Sequence, residues 1–148
     1  MTIYIGADHG GFILKEHLKD ILKGGGYDVV DMGSPTVVPG DDYPDCAIAV
    51  AEKVSASLES GARGIVICRS GFGVDIVANK FKGIRSALAI SPDHIFQGRN
   101  DDDVNVLALA ADFVDAPTAE KIVKVFLTTP FAKEEKYSRR LRKIDAIE

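Results

Sequence analysis

Hydrophobic residues along the chain fall into two alternating patterns, one typical of buried strands and one typical of amphipathic helices. Short apolar runs rich in β-branched residues predict strands at 2–7, 27–30, 65–67, 85–90 and 104–110. Apolar residues spaced three to four positions apart predict helices at 12–22, 44–58, 74–80, 92–99, 118–127 and 131–147. Strands that alternate with helices at short spacing predict an α/β fold, with a five-stranded parallel sheet covered by helices on both sides.

Two polar loops follow strands of this predicted sheet. Asp8-His9 comes after the first strand, and the loop from Cys68 to Gly73 comes after the third. Sites in parallel α/β folds lie at the carboxyl ends of strands, near the point where the strand order reverses. We therefore expect the two loops to meet.

The loop from Cys68 to Gly73 combines a thiol, a hydroxyl and two glycines at the start of a predicted helix. Backbone N–H groups at such a position bind anions. The helix N-terminus and Arg69 both favour a thiolate at Cys68, which would suit proton abstraction from carbon, with loop amides holding the oxyanion. An isolated cysteine is, however, more often a small buried hydrophobe. Because Ile76 replaces the third glycine of a dinucleotide fingerprint, that class is not predicted.

Three other polar groups each allow a structural interpretation beside a functional one. Asp8-His9 can cap the first helix, or it can hold sugar hydroxyls and move protons between them. The run 101–103 is acidic but lacks spaced histidines or cysteines, which predicts a solvated or hydrogen-bonding loop rather than a metal site. Lys136, Arg139, Arg140 and Lys143 share one side of a helix, which is either a solvated face or a phosphate site.

Composition limits the class of protein. The 148 residues suit one domain, 1–148, and no apolar run approaches the ~20 residues of a membrane span. The net charge of −4 argues against nucleic-acid binding. The start of the chain lacks a signal-peptide layout, so we expect a cytoplasmic protein whose two cysteines are free thiols.

Several short motifs together carry a specific resemblance. They are Gly6-Ala7-Asp8-His9-Gly10-Gly11-Phe12 with Leu14-Lys15-Glu16, Asp42-Tyr43-Pro44-Asp45, Gly64-Ile65-Val66-Ile67-Cys68, Ser70-Gly71-Phe72-Gly73 with Ala78-Asn79-Lys80, Gly83-Ile84-Arg85, Asn105-Val106-Leu107-Ala108-Leu109 and Thr129-Pro130-Phe131. With them the chain resembles, over nearly its whole length, the ribose-5-phosphate isomerase B family, which includes the galactose-6-phosphate isomerase subunits.

The resemblance implies a Rossmann-like three-layer αβα sandwich. It also implies a homodimer or dimer of dimers with active sites shared across the dimer interface, where the C-terminal helix, about 131–147, packs. The implied reaction is aldose–ketose isomerisation of a phosphosugar through an enediolate, by default ribose 5-phosphate to ribulose 5-phosphate. The implied partners are a sugar phosphate and a second copy of the chain, with no metal or other cofactor, no nucleic acid and no membrane.

Roles carry over by position. Cys68 would move the proton between C1 and C2, and Ser70 with the amides of 71–74 would stabilise the enediolate. Asp8 and His9 would hold hydroxyls, and His9 can assist ring opening. The implied substrate-binding residues are Tyr43, Gly71, Phe72, Gly73, Val74, Asp101, Asp102, Lys136, Arg140 and Arg69.

The chain also departs from the family pattern. Asp101 and Asp102 replace a usual His-Asn pair, Asp112 replaces an arginine that usually contacts phosphate, and Arg69 replaces a glycine. A phosphate near Asp112 would be repelled unless Arg69, Lys136 or Arg140 compensates. Another substrate, such as a tetrose or hexose phosphate, therefore stays open, as does a catalytically silent sugar-phosphate-binding subunit. A flavodoxin-like nucleotide or flavin binder would share the fold, but the chain lacks the loop signatures of that class. A proton-transfer role for Asp75 or Asp101 is also open.

Overall fold

The computed structural model describes residues 1–147, so Glu148, the last residue of the predicted domain, lies outside the described residues. Five parallel strands form one sheet in the order β2-β1-β3-β5-β4. The strands are Thr2–Ala7 (β1), Asp28–Asp31 (β2), Arg63–Cys68 (β3), Ser86–Leu88 (β4) and Val106–Ala110 (β5). The predicted α/β class with a five-stranded parallel sheet is confirmed.

Residues 1–147 form six helices, of which the first five contribute to the core on the two faces of the sheet and the sixth packs against the fourth. They are Phe12–Gly24 (α1), Tyr43–Ser55 (α2), Phe72–Ala78 (α3), Pro92–Asp102 (α4), Ala116–Thr128 (α5) and Glu135–Asp145 (α6), and a short 3₁₀ turn follows α2 at Leu58–Ser60. Ile65 and Ile67 of β3 pack in the core under α1, α4 and α5, whereas Val66 and Cys68 pack under α2 and α3. The period-2 alternation of β3 thus divides the core into the two halves of an αβα sandwich.

The C-terminal helix begins later than its sequence pattern predicts. It starts at Glu135 rather than at 131, because the preceding non-helical segment is tied to α4. The N–H of Ala132 donates to the carbonyl of Asn100 at 3.0 Å, and Arg99 Nε donates to the carbonyl of Thr129 at 3.2 Å. These tertiary bonds satisfy backbone groups that a helix would otherwise use.

The predicted loop at 101–103 is wrong for Asp101 and Asp102, which form the last turn of α4, whereas Asp103 lies outside the helix and forms hydrogen bonds. Asp103 ends that helix in the left-handed conformation, with φ 48°. Its carboxylate accepts from Arg99 at 2.7 Å and from Arg85 at 2.8 Å. Two arginine partners therefore hold the helix end where a glycine or asparagine is more usual.

The strand order places a topological switch point between β1 and β3. The chain leaves β1 for β2 on one side and then returns to form β3 on the other side of β1. The loops after β1 and β3 therefore lie side by side at the carboxyl edge of the sheet and lead to helices on opposite faces, at the position where parallel α/β folds bind their ligands. Within residues 1–147, no helix is both long and apolar enough to cross a membrane.

Candidate active site

Cys68 is the last residue of β3 and lies almost fully buried beneath α2 and α3. Its Sγ accepts a hydrogen bond from the backbone N–H of Gly71 at 3.2 Å. Gly71 is the residue that precedes α3 and has φ 75°, so the chain turns back sharply enough to aim this amide at the sulfur. An N–H donor interacts more favourably with a charged acceptor than with a neutral one. The site thus has the thiol and one amide donor of the predicted arrangement.

Asp8 lies beside the end of β3, as the sequence predicts. Ala7 pairs with Ile67, and the N–H of Asp8 donates to the carbonyl of Ile67 at 3.4 Å. The buried Asp8 carboxylate accepts from the N–H groups of Gly10 at 3.0 Å and Gly11 at 3.1 Å. Asp8 therefore closes the turn before α1 and lies at the same edge as Cys68, so the two loops do meet.

The turn after β1 requires a glycine where it crosses β3. A Cβ atom on Gly11 would lie 2.7 Å from the carbonyl oxygen of Ile67, a distance that no side chain tolerates. The absence of a side chain lets the loop approach β3 directly. On the other side of Cys68, the Tyr43 ring packs directly on Gly73. A Cβ atom on Gly73 would lie 2.4 Å from Tyr43 Cε2. Tyr43 is thus in contact with the start of α3, and its role in lining the pocket stays a prediction.

Arg69 does not lie where the expected effect on Cys68 requires it. Its side chain crosses over Gly10, and its Nε donates to Asp112 Oδ2 at 3.0 Å. Adjacent residues of an extended strand point to opposite faces, so Arg69 leaves the sheet on the side away from the sulfur. The exposed pair of Arg69 and Asp112 joins the loops after β1, β3 and β5 at the rim of the site.

His9 is paired with Asp41, a residue that the sequence analysis missed. Asp41 Oδ1 lies 2.8 Å from the backbone nitrogen of His9 and 2.7 Å from His9 Nδ1. The hydrogen bond to Asp41 raises the pKa of His9, and the charge of Asp8 raises it further, against a smaller lowering by burial. The only sequence signal was an aspartate before the Asp42-Tyr43-Pro44 motif, 32 residues from its partner.

Cys46 is the second residue that the sequence analysis did not place near the site. Its Sγ donates to the carbonyl of Tyr43 at 3.1 Å. Burial raises the pKa of the Cys46 thiol to about 12, and the negative charges of Asp8, Asp41 and Cys68 add to the rise. Cys46 is therefore a protonated thiol at neutral pH, close to Cys68.

A cavity of about 240 Å³ opens between the ends of β1 and β2 and the start of α2. Asp41 and Cys46 line it, whereas Cys68 is not among its lining residues. Its walls are otherwise formed by Ala7, Met32, Gly33, Ser34, Val38, Asp42 and Asp45. The cavity therefore adjoins the site on the Asp41 side and does not itself expose the sulfur.

Four predicted substrate-binding residues lie far from Cys68 within one chain. Asp101 and Asp102 end α4, just before the amino end of β5, while Cys68 pairs with Ala110 at its carboxyl end. These two ends are separated by roughly 13 Å of strand. Lys136 and Arg140 lie on α6, which packs against α4 near the amino edge of the sheet. The N–H of Ala132, just before α6, donates to the carbonyl of Asn100, and Asp145 Oδ1 at the end of α6 lies 3.8 Å from Nη1 of Arg85, just before β4. One chain therefore does not bring Asp101, Asp102, Lys136 or Arg140 to the sulfur.

The remaining predicted residues stay near the loop. Ser70 directly precedes Gly71, and Val74 lies in the first turn of α3, buried under α2 with Cys68. Phe72 is exposed at the start of α3. Burial raises the pKa of Asp75, against a lowering by the hydrogen bond from Ser86 Oγ at 2.6 Å. Since that bond ties Asp75 to β4, a structural role in holding α3 accounts for this carboxylate.

Substituting Gly71 by alanine tests the turn at Cys68. The φ of 75° is strained for alanine, and a Cβ there would lie 2.4 Å from Leu88 Cδ1 and 3.2 Å from the Ala110 nitrogen. We expect Gly71→Ala to lower the free energy of unfolding by about 1–3 kcal/mol. Gly61→Ala is the matched control, since Gly61 has φ 70° but no neighbouring atom within 4 Å. Equal losses for both variants in urea unfolding would show that Gly71 has no packing constraint.

Comparison with known proteins places this geometry in a family. Residues 3–144 match the family described as Ribose/Galactose Isomerase. The probable ribose-5-phosphate isomerase B of Mycoplasma genitalium is 39% identical over 143 residues, which is 97% of this chain and 93% of that protein. Ribose-5-phosphate isomerase B of Mycobacterium tuberculosis is 36% identical, over 95% of this chain and 86% of that protein. The crystal structure of the Mycoplasma genitalium enzyme with bound ribulose-5-phosphate superposes with a TM-score of 0.94 at 38% identity, covering 99% and 95% of the two chains.

Proposed function

The chain belongs to the ribose/galactose isomerase family and is a sugar-phosphate aldose–ketose isomerase, and we propose that it interconverts ribose 5-phosphate and ribulose 5-phosphate through an enediolate with Cys68 as the base. The observation that carries this proposal is the position of Cys68. Its sulfur accepts the Gly71 N–H at the switch point, beside the Asp8-His9 turn. A relative of the same fold binds ribulose-5-phosphate.

The proposed reaction moves one proton between two carbons. The Cys68 thiolate removes the C2 proton of the open-chain aldose, and the electrons of that C–H bond form the C1=C2 bond of the enediolate. The charge that develops on oxygen is stabilised by Ser70 and by the amides of 71–74. A proton moves from the C2 hydroxyl to the oxygen on C1, and the Cys68 thiol returns its proton to C1, which gives the ketose.

The turn after β1 serves binding in this proposal. Asp8 and His9 hold sugar hydroxyls, and His9 assists opening of the ring. The raised pKa of His9 keeps a larger share of its imidazole protonated near neutral pH, which suits proton donation to a ring oxygen. Tyr43 lines the pocket beside Gly73, and Arg69, fixed at the rim by Asp112, supplies positive charge for the phosphate.

A second copy of the chain completes the proposed site. Asp101, Asp102, Lys136 and Arg140 lie at the edge of the sheet opposite Cys68, so they reach a substrate on Cys68 only from another subunit. Phe72 and Ile76 support an interface at α3, because these side chains on adjacent turns are 64% and 61% exposed. We propose a homodimer with shared sites in which α6 packs at the interface.

Shared sites predict complementation between two inactive variants. Cys68→Ala and Arg140→Ala damage different halves of each site, so a mixed dimer contains one site with both changes and one intact site. Random exchange of subunits is expected to restore about a quarter of the parent activity. The measurement is turnover after co-refolding, with each variant alone as the control. If the mixture is no more active than the separate variants, the sites are not shared in this way.

The substrate itself is tested with a panel of sugar phosphates. We expect ribose 5-phosphate to give the highest kcat/KM. Asp112, which faces Arg69, supports a second candidate, because a carboxylate there weakens the phosphate site and favours a different sugar phosphate. A tetrose or hexose phosphate turned over faster than ribose 5-phosphate would establish that alternative. Binding without incorporation of solvent deuterium into any member of the panel would identify a silent sugar-phosphate-binding subunit.

A further inference from the structure

One carboxylate oxygen of Asp41 contacts both the backbone nitrogen and the imidazole ring of His9. Asp41 Oδ1 accepts the backbone N–H of His9 at 2.8 Å and lies 2.7 Å from His9 Nδ1. An ionised carboxylate accepts hydrogen bonds and does not donate them, so the proton of this contact is on Nδ1. Nε2 is then the nitrogen that remains for substrate, as an acceptor in the neutral ring and a donor in the imidazolium.

The backbone bond and the ring bond together restrict the His9 side chain. The first fixes Asp41 relative to the main chain at His9, and the second fixes the ring relative to Asp41. The His9 side chain is 37% exposed, so packing alone does not hold it in one rotamer. The two hydrogen bonds to Asp41 Oδ1, one from the His9 backbone and one from its ring, supply the constraint on the rotamer that packing does not.

Asp41 is itself held through the loop between β2 and α2. Its N–H donates to the carbonyl of Val38 at 3.2 Å. The beginning of this loop is anchored by the fully buried Lys15, whose Nζ donates to the carbonyl of Ser34 at 2.9 Å. The N–H of Gly33 adds a bond of 2.9 Å to Asp31 Oδ1. The loop that carries Asp41 is therefore attached to the core at its start and to the His9 turn near its end.

We propose that Asp41 is a positioning residue, which fixes the tautomer and orientation of His9 so that Nε2 is presented to the sugar. This inference rests on the proposed function, because it gives His9 a substrate to act on. The charged groups around His9 are Asp8 beside it, Asp41 from the β2–α2 loop and Arg69, which crosses the neighbouring Gly10 and is itself paired with Asp112. Asp41 is the one among them that bonds to the imidazole.

Asp41→Ala is the test, with Glu120→Ala as the matched control, because alanine removes the acceptor oxygen that asparagine would keep. His17 Nε2 lies 2.7 Å from Glu120 Oε1, so the control removes a histidine–carboxylate contact of the same length on the α1–α5 surface. For Asp41→Ala, nitrogen NMR is expected to show loss of the Nδ1-protonated tautomer of His9 and a fall in its pKa. Glu120→Ala is expected to leave both unchanged. Since acid–base catalysis is worth about 10²–10⁴-fold, a misplaced imidazole is expected to lower kcat/KM roughly tenfold.

A double-mutant cycle with His9→Asn separates positioning from a general loss of structure. If Asp41 acts through His9, the second change costs little once the first is present. Additive losses, or an unchanged His9 tautomer in Asp41→Ala, would overturn the assignment. The NMR readouts do not depend on turnover. Absence of isomerase activity in the parent protein would therefore refute the proposed function, while the tautomer still decides the role of Asp41.

Discussion

Cys68→Ala is expected to lower kcat/KM for isomerisation by about 10²–10⁴-fold, the range for loss of a general base in proton transfer. The variant retains the Gly71 turn and the Asp8-His9 loop but has no group at this position that can accept the proton from carbon. Exchange of solvent deuterium into the substrate is expected to fall by a similar factor, because the same step is lost. Substrate binding is expected to change much less, since the groups proposed to hold the hydroxyls and the phosphate are all retained.

Cys46→Ala is the matched control for this experiment. The chain has two cysteines, both buried, and they share the core between the sheet and α2. Cys46 has a pKa of about 12 and is protonated at neutral pH, so it is not equipped to act as a base. Its removal is expected to cost some stability through the lost thiol volume and to leave most of the turnover. A Cys68→Ala protein that isomerises at the parent rate would refute the proposed base.

Asp31→Asn is expected to lower the free energy of unfolding by about 3 kcal/mol, because it leaves a fully buried lysine without its principal counter-charge. Lys15 is 0% exposed, and its Nζ donates to both carboxylate oxygens of Asp31, at 2.9 and 2.8 Å. Lys19 donates to the same carboxylate at 2.5 Å. Glu16 Oε1 at 3.2 Å and the carbonyl of Ser34 remain near Lys15, which is why the loss is at the low end for a broken buried pair.

Asp28→Asn, on the same strand, is the control for this substitution. Asp28 is exposed, and among residues 1–147 its carboxylate accepts from Thr2 Oγ1 alone, at 2.9 Å, so its loss is expected to change stability by no more than about 0.5 kcal/mol. Urea unfolding at pH 7 measures both variants. If Asp31→Asn is no less stable than Asp28→Asn, the buried pair does not contribute as proposed.

The same pair predicts a dependence on pH. Burial alone would raise the pKa of Asp31, but hydrogen bonds from Lys15 and Lys19 outweigh it, and the net pKa is lowered. A carboxyl group whose pKa is lower in the folded state stabilises the fold above its unfolded pKa, about 3.9, and this contribution is lost as the pH falls through the folded value. The parent protein is therefore expected to lose this stability below about pH 4, and Asp31→Asn is expected to lack that part of the acid transition.

The arrangement of strands and loops was predictable because it follows from local patterns. Alternate residues of β3 belong to different faces, and the apolar run at 65–67 carries that information without any tertiary contact. Strand–helix alternation then requires parallel pairing, which brings the residues after β1 and β3 to one edge. Asp8 and Cys68 could therefore be placed together from the sequence.

Other features depend on contacts that no local pattern encodes. Asp41 meets His9 across 32 positions, and Cys46 approaches Cys68 only because α2 packs on the same face of the sheet as α3. The start of α6 is set by the bond between Ala132 and Asn100, although the apolar spacing alone extends the helix to 131. In each case the partner is distant in the chain, so its effect enters only when the chain folds.

By itself the sequence determined the class of fold, the edge of the sheet at which the loops after β1 and β3 meet, and the position of Asp8 and Cys68 at that edge. The spacing of apolar residues and the positions of glycines are local properties of the chain, and they restrict the backbone before any tertiary contact forms. Only the tertiary structure decided that Arg69 pairs with Asp112, that Asp41 holds His9, and that Asp101, Asp102, Lys136 and Arg140 lie at the opposite edge. Side-chain partners depend on which elements pack together, and hydrogen bonds form only between groups that this packing brings within about 3 Å.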